Sequence, residues 1–163
     1  MSSWIDLKTR EPEKWSAFTR QCLDLLDAVR ELDGTDKGTV QLFNPKLNAL
    51  QIVVHRGFEL PFLQLFELVR ADDLSAACGR ALRYGQRIIL PDIDDDLLYG
   101  LYRSIAKASG YCAVQSTPIP GPDRSILGVF STYSARRHSW SDECQTEFDN
   151  YAAQMGQLIE DLQ

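Results

Sequence analysis

The stretch AVQSTPIPGPDRSILGVFSTYS, residues Ala113 to Ser134, decides the fold because it predicts two β-strands joined by a turn rich in Gly and Pro. Both arms carry polar residues where a purely structural hairpin would carry aliphatic ones: Gln115, Ser116, Thr117, Ser131 and Thr132. Successive side chains point to opposite faces of a strand, so a shift of one residue in the pairing exchanges the faces. The sequence therefore predicts the hairpin and leaves open what these polar residues face.

The composition predicts one soluble domain. The chain has 163 residues, of which 44% are hydrophobic, and carries 17 Lys and Arg against 23 Asp and Glu, for a net charge of -6. The sequence has no basic stripe that could follow a phosphate backbone, so we expect no nucleic-acid partner. It has no stretch typical of a signal peptide or a membrane span, and its four scattered cysteines suit reduced thiols. These features predict a cytoplasmic protein without membrane insertion.

Long amphipathic helices are predicted at both ends of the chain. The first covers residues 12–33, where apolar residues have the spacing of a heptad seam: Trp15, Phe18, Cys22, Leu25, Val29 and Leu32. The second covers residues 141–163, with Ser139 or Ser141 as N-cap and the seam Cys144, Phe148, Tyr151, Met155, Leu158 and Leu162. The two seams predict a homodimer through the terminal helices, and the alternative is that both seams only cover the sheet.

The middle of the chain predicts a first hairpin followed by short helices and a strand. The first hairpin is predicted from GTVQLFNPKLNALQIVVHRG, which contains two strands around the turn Asn44-Pro45. A helix is predicted from FELPFLQLFELVR, and a short strand from QRIIL. SAACGRALRYG predicts a helix from the N-cap Ser75 to Gly85. LLYGLYRSIAKASG predicts a helix with one apolar face made of Leu98, Leu101, Tyr102 and Ile105.

Three pieces of this order resemble the GAF domain family of sensor modules in histidine kinases, phosphodiesterases and phytochromes. They are GTVQLF leading into ALQIVVHRG, SAACGRAL followed by RIILPDI, and AVQSTPI paired with ILGVFSTYS before a final SDE helix. The resemblance implies an α/β (α+β) fold with a central antiparallel sheet, terminal helices on one face and a pocket under helices and loops on the other. It implies one domain over residues 1–163, with sheet and pocket elements in 38–134.

The same resemblance implies a ligand site on the face of the sheet away from the terminal helices. Ser131 and Tyr133 would line it from the second arm of the hairpin, and alternation places Val129 with them. The other expected ligand-binding residues are His55 and Arg56 at the rim, Ala77 and Cys78 on a covering helix, Tyr102, Ser104, Lys107 and Tyr111 on a lid, and Gln115, whose face depends on register. We expect a small, partly apolar ligand, and the basic residues at the rim are compatible with an anionic one.

The sequence departs from the family members that bind known cofactors, and we expect no cofactor. YSARRHSWSDE retains only the Asp-Glu pair of the signature of cyclic-nucleotide-binding members. Neither Cys78 nor Cys112 is followed by the histidine that commonly accompanies a bilin-binding cysteine. An isolated histidine such as His55 or His138 is more often a surface residue than a haem ligand.

The acidic run Asp92-Ile93-Asp94-Asp95-Asp96 has the alternating carboxylates of a calcium loop. Leu97 stands where that loop requires Gly, and Arg103 stands where it requires a bidentate Glu. The carboxylates are better explained as caps for the amides at the start of the following helix. We therefore predict no metal site.

The function predicted from these features is a non-catalytic sensory or regulatory domain that binds a small molecule and relays a signal through its terminal helices, as part of a histidine kinase or a similar signalling protein. The sequence leaves open whether an output domain follows Gln163 or the chain is a complete small protein. The alternative is a stand-alone free methionine-(R)-sulfoxide reductase. Enzymes of that family place a cysteine in the turn where Cys78 lies, but they need a second thiol in the following loop. DDDLLYGLYRSIAKASG contains no cysteine, and Cys112 lies just beyond it.

Overall fold

The protein, described by a computed structural model over residues 4–162, is built around one antiparallel sheet of six strands. The strands are β1 Lys37–Asn44, β2 Ala49–Arg56, β3 Val69–Arg70, β4 Ile88–Leu90, β5 Ala113–Pro120 and β6 Ile126–Ser134. Their order across the sheet is β3-β2-β1-β6-β5-β4. The two predicted hairpins therefore lie side by side and meet where β1 pairs with β6. The predicted fold class is confirmed.

Helices cover both faces of this sheet. The α-helices are α1 Trp4–Arg10, α2 Pro12–Asp33, α3 Leu60–Leu65, α4 Ala77–Tyr84, α5 Arg103–Ser109 and α6 Asp142–Asp161, and the 3₁₀ helices are Ile93–Asp95, Leu97–Tyr102 and Pro122–Arg124. One buried apolar cluster joins α1, α2 and α6 to one face, which we call the helix face. A second cluster joins α3, α4 and α5 to the other face, which we call the lid face.

The two long terminal helices pack on the sheet by a face slightly different from the predicted heptad seams. In α2 the sheet-facing position is Leu26, which is fully buried, whereas Leu25 is only partly buried and Leu32 is 46% exposed. A helix lying on a sheet buries a face with the 3.6-residue period, so the strict heptad positions drift toward its outer edge. Ser141 is the N-cap of α6, as expected, and accepts a hydrogen bond from the backbone N–H of Cys144. The last predicted residue of this helix, 163, lies outside the described residues.

Gly38 allows α2 to lie close to the sheet. A Cβ atom at this position of β1 would come within 2.8 Å of Leu26 Cδ1 and 3.2 Å of Arg30 Cδ. Because Gly38 points to the helix face, its neighbour Thr39 points to the lid face. The close approach of α2 thus also fixes which residues of β1 face the lid.

The segment after the acidic run differs from the predicted helix. It begins as the 3₁₀ helix Leu97–Tyr102 and becomes α-helical only in α5, and we call these two elements together the lid. A 3₁₀ helix has three residues per turn, and here Tyr99 is 2% exposed while Leu98 and Leu101 are 52% and 80% exposed. The expected apolar face is therefore wrong for Leu98 and Leu101, whereas Tyr102 and Ile105 pack against the buried cluster of the lid face.

Two other local predictions need correction. Residues 58–70 contain only the short helix α3, after which the chain extends into β3. Ser75 is not the N-cap of α4: the cap position is Ala76, and the backbone N–H of Ser75 donates to Asp73 Oδ1. The start of α4 is fixed instead by close packing, since a Cβ atom on Gly79 would lie 2.2 Å from the carbonyl oxygen of Asp73.

Candidate functional site

A row of three hydroxyl side chains crosses the centre of the lid face. Ser116 on β5 is paired with Ser131 on β6, and Ser131 is paired with Thr39 on β1. All three residues are at most 1% exposed. The two serine Oγ atoms form a hydrogen bond of 2.6 Å. We call this row the hydroxyl row, and it shows that Ser116 and Ser131 of the hairpin face the lid.

Aromatic side chains pack over the hydroxyl row. Tyr133 lies next to Ser131 on the same face of β6, and its ring centroid is 4.9 Å from that of Tyr111 and 4.9 Å from that of Phe58. Tyr111 and Tyr99 share a hydrogen bond of 2.6 Å between their hydroxyl oxygens. Burial raises the pKa of all three tyrosines above its ordinary value, so their hydroxyls stay protonated near neutral pH.

Phe62 on α3 closes this aromatic cluster on one side. Its ring stacks on that of Phe58 with centroids 3.6 Å apart, and its edge contacts are with Tyr111 and Tyr133 at 6.0 and 5.8 Å. A groove of about 200 Å³ runs between α3 and α5 on the outer side of Phe62, and its other lining residues are Lys37, Gly57, Glu59, Pro61, Ile105, Ala108 and Ser109. Phe62 therefore separates this groove from the buried interior.

Helix α4 packs over β5 and β6, and its first turn brings Cys78 against the Gln41 side chain of β1. Burial raises the pKa of the Cys78 thiol to about 11, and the hydrogen bond with the Gln41 side chain opposes this shift only in part. At neutral pH the sulfur is therefore a thiol and not a thiolate. Apart from Arg80, which pairs with Asp96, the polar side chains that face the interior from β1, β5, β6 and α4 are uncharged: Thr39, Gln41, Cys78, Ser116, Ser131 and Tyr133.

Two polar atoms of this interior have no hydrogen-bond partner in the described structure. They are Thr39 Oγ1 and Gln41 Oε1, and each residue is 1% exposed. Burial raises the pKa of the nearby Tyr133 hydroxyl and Thr39 opposes part of this shift, but the two groups form no hydrogen bond of acceptable geometry. Both residues lie on the lid face of β1, two positions apart. Because native proteins pair nearly all of their buried polar atoms, a buried atom without a partner requires an explanation.

Two polar contacts hold the lid in place. Arg80 on α4 forms hydrogen bonds of 2.9 and 3.1 Å with the two carboxylate oxygens of Asp96, and the hydroxyl of Tyr102 donates to Asp73. Asp96 also caps the 3₁₀ helix, because its Oδ1 accepts the backbone N–H of Tyr99 at 3.0 Å. The interpretation of the acidic run as a cap is confirmed at Asp96. Within residues 4–162, there is no cluster of three His, Cys, Asp or Glu side chains that could hold a metal ion.

The structure brings six of the eleven expected ligand-binding residues to this interior or its edge. Ala77, Cys78, Tyr111, Ser131 and Tyr133 are buried there, and Tyr102 is partly buried at the lid. His55, Ser104 and Lys107 are exposed on the outer surface.

Arg56 and Gln115 lie on the helix face, so their expected places at the site are corrected. The guanidinium of Arg56 forms two hydrogen bonds of 3.0 Å with the carboxylate of Asp27 on α2. Side chains of adjacent residues in a strand point to opposite faces of the sheet, so Arg56 and His55 cannot share a face. Gln115 neighbours Ser116 and faces the other way for the same reason, and its Nε2 donates to Thr132 Oγ1 at 3.1 Å.

The remaining polar residues of the hairpin belong to a buried hydrogen-bonded network on the helix face, which the sequence did not predict. Asp33, the last residue of α2, accepts hydrogen bonds from Thr132 Oγ1 at 2.6 Å and from Trp140 Nε1 at 3.0 Å. Gln115 links Thr132 to Thr117, whose hydroxyl donates to Gln115 Oε1 at 2.6 Å. We call Asp33, Thr132, Gln115, Thr117 and Trp140 the polar network.

Arg87 extends the polar network to α6. Its Nε donates to Thr117 Oγ1 at 3.0 Å, and its guanidinium pairs with Asp149 on α6. Only two features of the sequence indicate this network: the charged residue Asp33 at the end of a predicted helix, and the polar side chains of the hairpin. Their partners Trp140 and Arg87 lie far from them along the chain.

Comparison with solved structures shows the same fold in a domain of a sensor histidine kinase, in a GAF domain region and in a reductase. A domain of a protein named as a two-component sensor histidine kinase from Sinorhizobium meliloti is 18% identical, with a TM-score of 0.73 over 88% of this chain and 90% of that one. The GAF domain region of a protein from Geobacter sulfurreducens is 15% identical, with a TM-score of 0.75 over 91% and 96%. A type II free methionine-R-sulfoxide reductase from Thermoplasma acidophilum is 13% identical, with a TM-score of 0.74 over 91% and 95%.

Comparison of the sequence with curated proteins and with family models identifies the family of this chain. No curated protein matches the chain significantly. In residues 4–162 no helix has both the length and the apolar character needed to span a membrane. The family model of the GAF domain matches residues 22–160, and the chain therefore belongs to the GAF domain family.

Proposed function

We propose that the chain is a non-catalytic sensory or regulatory domain that binds a small molecule between the sheet and the lid. The observation that carries this proposal is the buried, uncharged polar surface of the lid face, on which Thr39 Oγ1 and Gln41 Oε1 have no partner. A core that served packing alone would gain stability from apolar residues at these positions. Unpaired acceptors under a lid are instead what a site for a hydrogen-bonding ligand requires.

The polar network supports a route from this site to the terminal helices. Ser131 and Thr132 are consecutive on β6, as Gln115 and Ser116 are on β5, so each strand carries one residue in the hydroxyl row and the next in the network. A ligand that changed the twist or spacing of β5 and β6 would shift Thr132 against Asp33 at the end of α2. We propose that the two faces are coupled in this way, so that ligand binding biases the terminal helices.

A second copy of the chain is the proposed partner of these helices. A groove of about 380 Å³ runs between α2 and α6 on their outer side, lined by Gln21, Asp24, Leu25, Gln154, Gln157 and Leu158. Leu25 and Leu158 are heptad positions that the sheet leaves partly exposed. Because the stripe on α2 and the stripe on α6 can each meet the other across a twofold axis, a homodimer covers both at once. An output domain that reads the helix positions is part of the same proposal.

Reductase activity is the less well supported alternative. Cys78 is buried with a pKa of about 11, whereas the nucleophile in thiol chemistry is the exposed thiolate. Cys112 is directed to Asp92, with 3.6 Å between Sγ and Oδ1, and not toward Cys78. All four cysteines are free thiols, which fits the reducing cytoplasm, our proposed location.

A thermal-shift assay tests ligand binding. We would measure the melting temperature with a panel of nucleobases, amino acids, indole and phenol, for the wild type, Ser131→Leu and Ser104→Leu. Leu at position 131 interrupts the hydroxyl row, whereas Ser104 lies on the outer surface of the lid. The proposal predicts a shift in the wild type that Ser104→Leu keeps and Ser131→Leu loses. A shift that survives in Ser131→Leu would place the binding elsewhere.

A further inference from the structure

We propose that the ligand of the buried site is an uncharged, flat aromatic or heteroaromatic molecule that carries an N–H or O–H donor, and that it enters past Phe62. This inference rests on the proposed function, because it gives a chemical class to the ligand of the same site. It differs from the expectation from sequence, in which basic residues at the rim allowed an anion.

The need for a donor follows from the unpaired atoms. Gln41 Oε1 can only accept a hydrogen bond, and Thr39 Oγ1 can accept or donate one. The two residues are two positions apart on one face of β1, so their Cα atoms lie about 7 Å apart. A bicyclic ring has a comparable length, so one such molecule can reach both atoms.

The absence of a charge on the ligand follows from the chemistry of the lining. The interior presents hydroxyls, an amide and a thiol, and burying an ionised group there without a counter-charge is costly. Arg80 is a buried cation on this side of the sheet; its Nε has no partner among the described residues, but both of its terminal nitrogens are paired with Asp96, whose carboxylate already balances the charge.

Of the basic residues expected at the rim, Lys107 is exposed on the outer surface and Arg56 is paired with Asp27 on the helix face. Lys37 lines the outer groove and is separated from the interior by Phe62.

The flat shape and the entry route follow from Phe62. Its ring lies parallel to that of Phe58, with an interplanar angle of 8°, and nearly perpendicular to Tyr111 and Tyr133. A ligand ring in its place would keep the same stacked and edge contacts. Phe62 lies on α3, which has six residues, and Leu60 and Leu65 of that helix are 63% and 48% exposed. So short a helix can shift at low cost and let the ring swing into the groove.

Three probes of similar shape test the ligand class: indole, which has an N–H donor, benzofuran, which has none, and indole-2-carboxylate, which is an anion. Each is titrated into the full chain while the backbone amide signals of residues 39, 41 and 131 are followed by NMR. We expect indole to bind about tenfold more tightly than either of the other two. Phe62→Ala should tighten indole binding and keep this order, and Gln41→Met should remove the preference for indole over benzofuran.

The outcomes separate this inference from the proposed function. If benzofuran or indole-2-carboxylate binds at these residues as tightly as indole, the ligand class is wrong while the site stands. If none of the probes perturbs these amides, in the wild type or in Phe62→Ala, both the class and the site are wrong. A second measurement uses stability: Thr39→Val should raise the melting temperature of the ligand-free protein by about 2–4 °C. A fall in melting temperature would show that Thr39 Oγ1 has a structural partner and contradict the inference.

Discussion

Ser131 and Thr132 are consecutive residues of β6 whose hydroxyls make hydrogen bonds on opposite faces of the sheet. Ser131 Oγ lies 2.6 Å from Ser116 Oγ under the lid, and Thr132 Oγ1 donates a hydrogen bond of 2.6 Å to Asp33 at the end of α2. One strand thus connects the candidate site to a terminal helix through adjacent residues.

Replacing Asp33 by Asn should destabilise the protein. The carboxylate accepts hydrogen bonds from Thr35, Thr132 and Trp140, and an amide offers one acceptor oxygen in place of two. Because hydrogen bonds to charged groups are the stronger ones, we expect a loss of about 2 kcal/mol in the free energy of unfolding, measured in urea. The exposed Asp36→Asn is the control and should change it by less than about 0.5 kcal/mol. Equal stability of the two variants would show that Asp33 does not tie the helices to the sheet.

The pairing of Arg80 with Asp96 should make the free energy of unfolding depend on pH in the acidic range. Burial raises the pKa of the Asp96 carboxyl, but the hydrogen bond and charge of Arg80 outweigh burial and hold the pKa below its ordinary value. Such a carboxyl contributes stability above its unfolded pKa of about 3.9 and loses that contribution as the pH falls through the folded value.

The test compares the free energy of unfolding at about pH 6 and pH 3. Asp96→Asn should be less stable than the wild type at the higher pH and should lose less stability on acidification. Asp27 and Asp92 also have lowered pKa values, but they contribute equally to both proteins. Asp94→Asn should keep the acid dependence of the wild type. An unchanged acid dependence in Asp96→Asn would mean that its ion pair does not secure the lid.

The reduced protein should not turn over free methionine-R-sulfoxide in the presence of a thioredoxin recycling system. The pKa of Cys78, about 11, keeps the thiolate fraction very small near neutral pH, and the lid supplies no second thiol. NADPH consumption is the measurement. Robust turnover that Cys78→Ser abolishes and Cys112→Ser spares would replace the sensory function with the enzymatic one.

Light scattering at micromolar concentration should give the mass of a dimer. Leu25→Glu and Leu158→Glu place charges in the groove between α2 and α6 and should shift the mass toward that of a monomer. Leu98→Glu is the matched control, because Leu98 is 52% exposed on the lid, away from the terminal helices. A monomer mass for the wild type would remove the dimer from the account, and so would a loss of dimer in Leu98→Glu alone.

The family resemblance placed Ser131 on the lid side of β6, and alternation along the strand then placed Val129 and Tyr133 on the same face. Val129, Ser131 and Tyr133 were expected together on the face opposite the terminal helices, and their packing is consistent with this. The period of two is a property of every strand, so one correctly placed residue fixes the others. Gln115 could not be placed, because its face depends on the pairing across a turn that contains a 3₁₀ helix and a register shift between Ile119 and Pro120.

Other predictions failed where the local geometry departs from regular structure. Arg56 was expected at the rim, but β2 shifts its register by one residue opposite Val40 and Gln41, which changes the alternation along that strand. Leu98 and Leu101 were placed on a buried helical face, whereas the 3₁₀ geometry buries Tyr99. The polar network joins Asp33 to Trp140, 107 positions apart, and no local pattern predicts a contact over that distance.

The most direct test of the coupling is the NMR signal of the Trp140 indole N–H, which reports on its hydrogen bond to Asp33. The tightest ligand from the thermal-shift panel is titrated while this signal and the Ser131 amide are followed together. The account predicts that both signals move with the same saturation curve, while the indole signal of Trp4, bonded to the carbonyl of Phe43, stays in place. In Thr132→Val the Ser131 amide should still respond and Trp140 should not. A wild-type Trp140 signal that stays unchanged while the Ser131 site fills would contradict the coupling of the two faces.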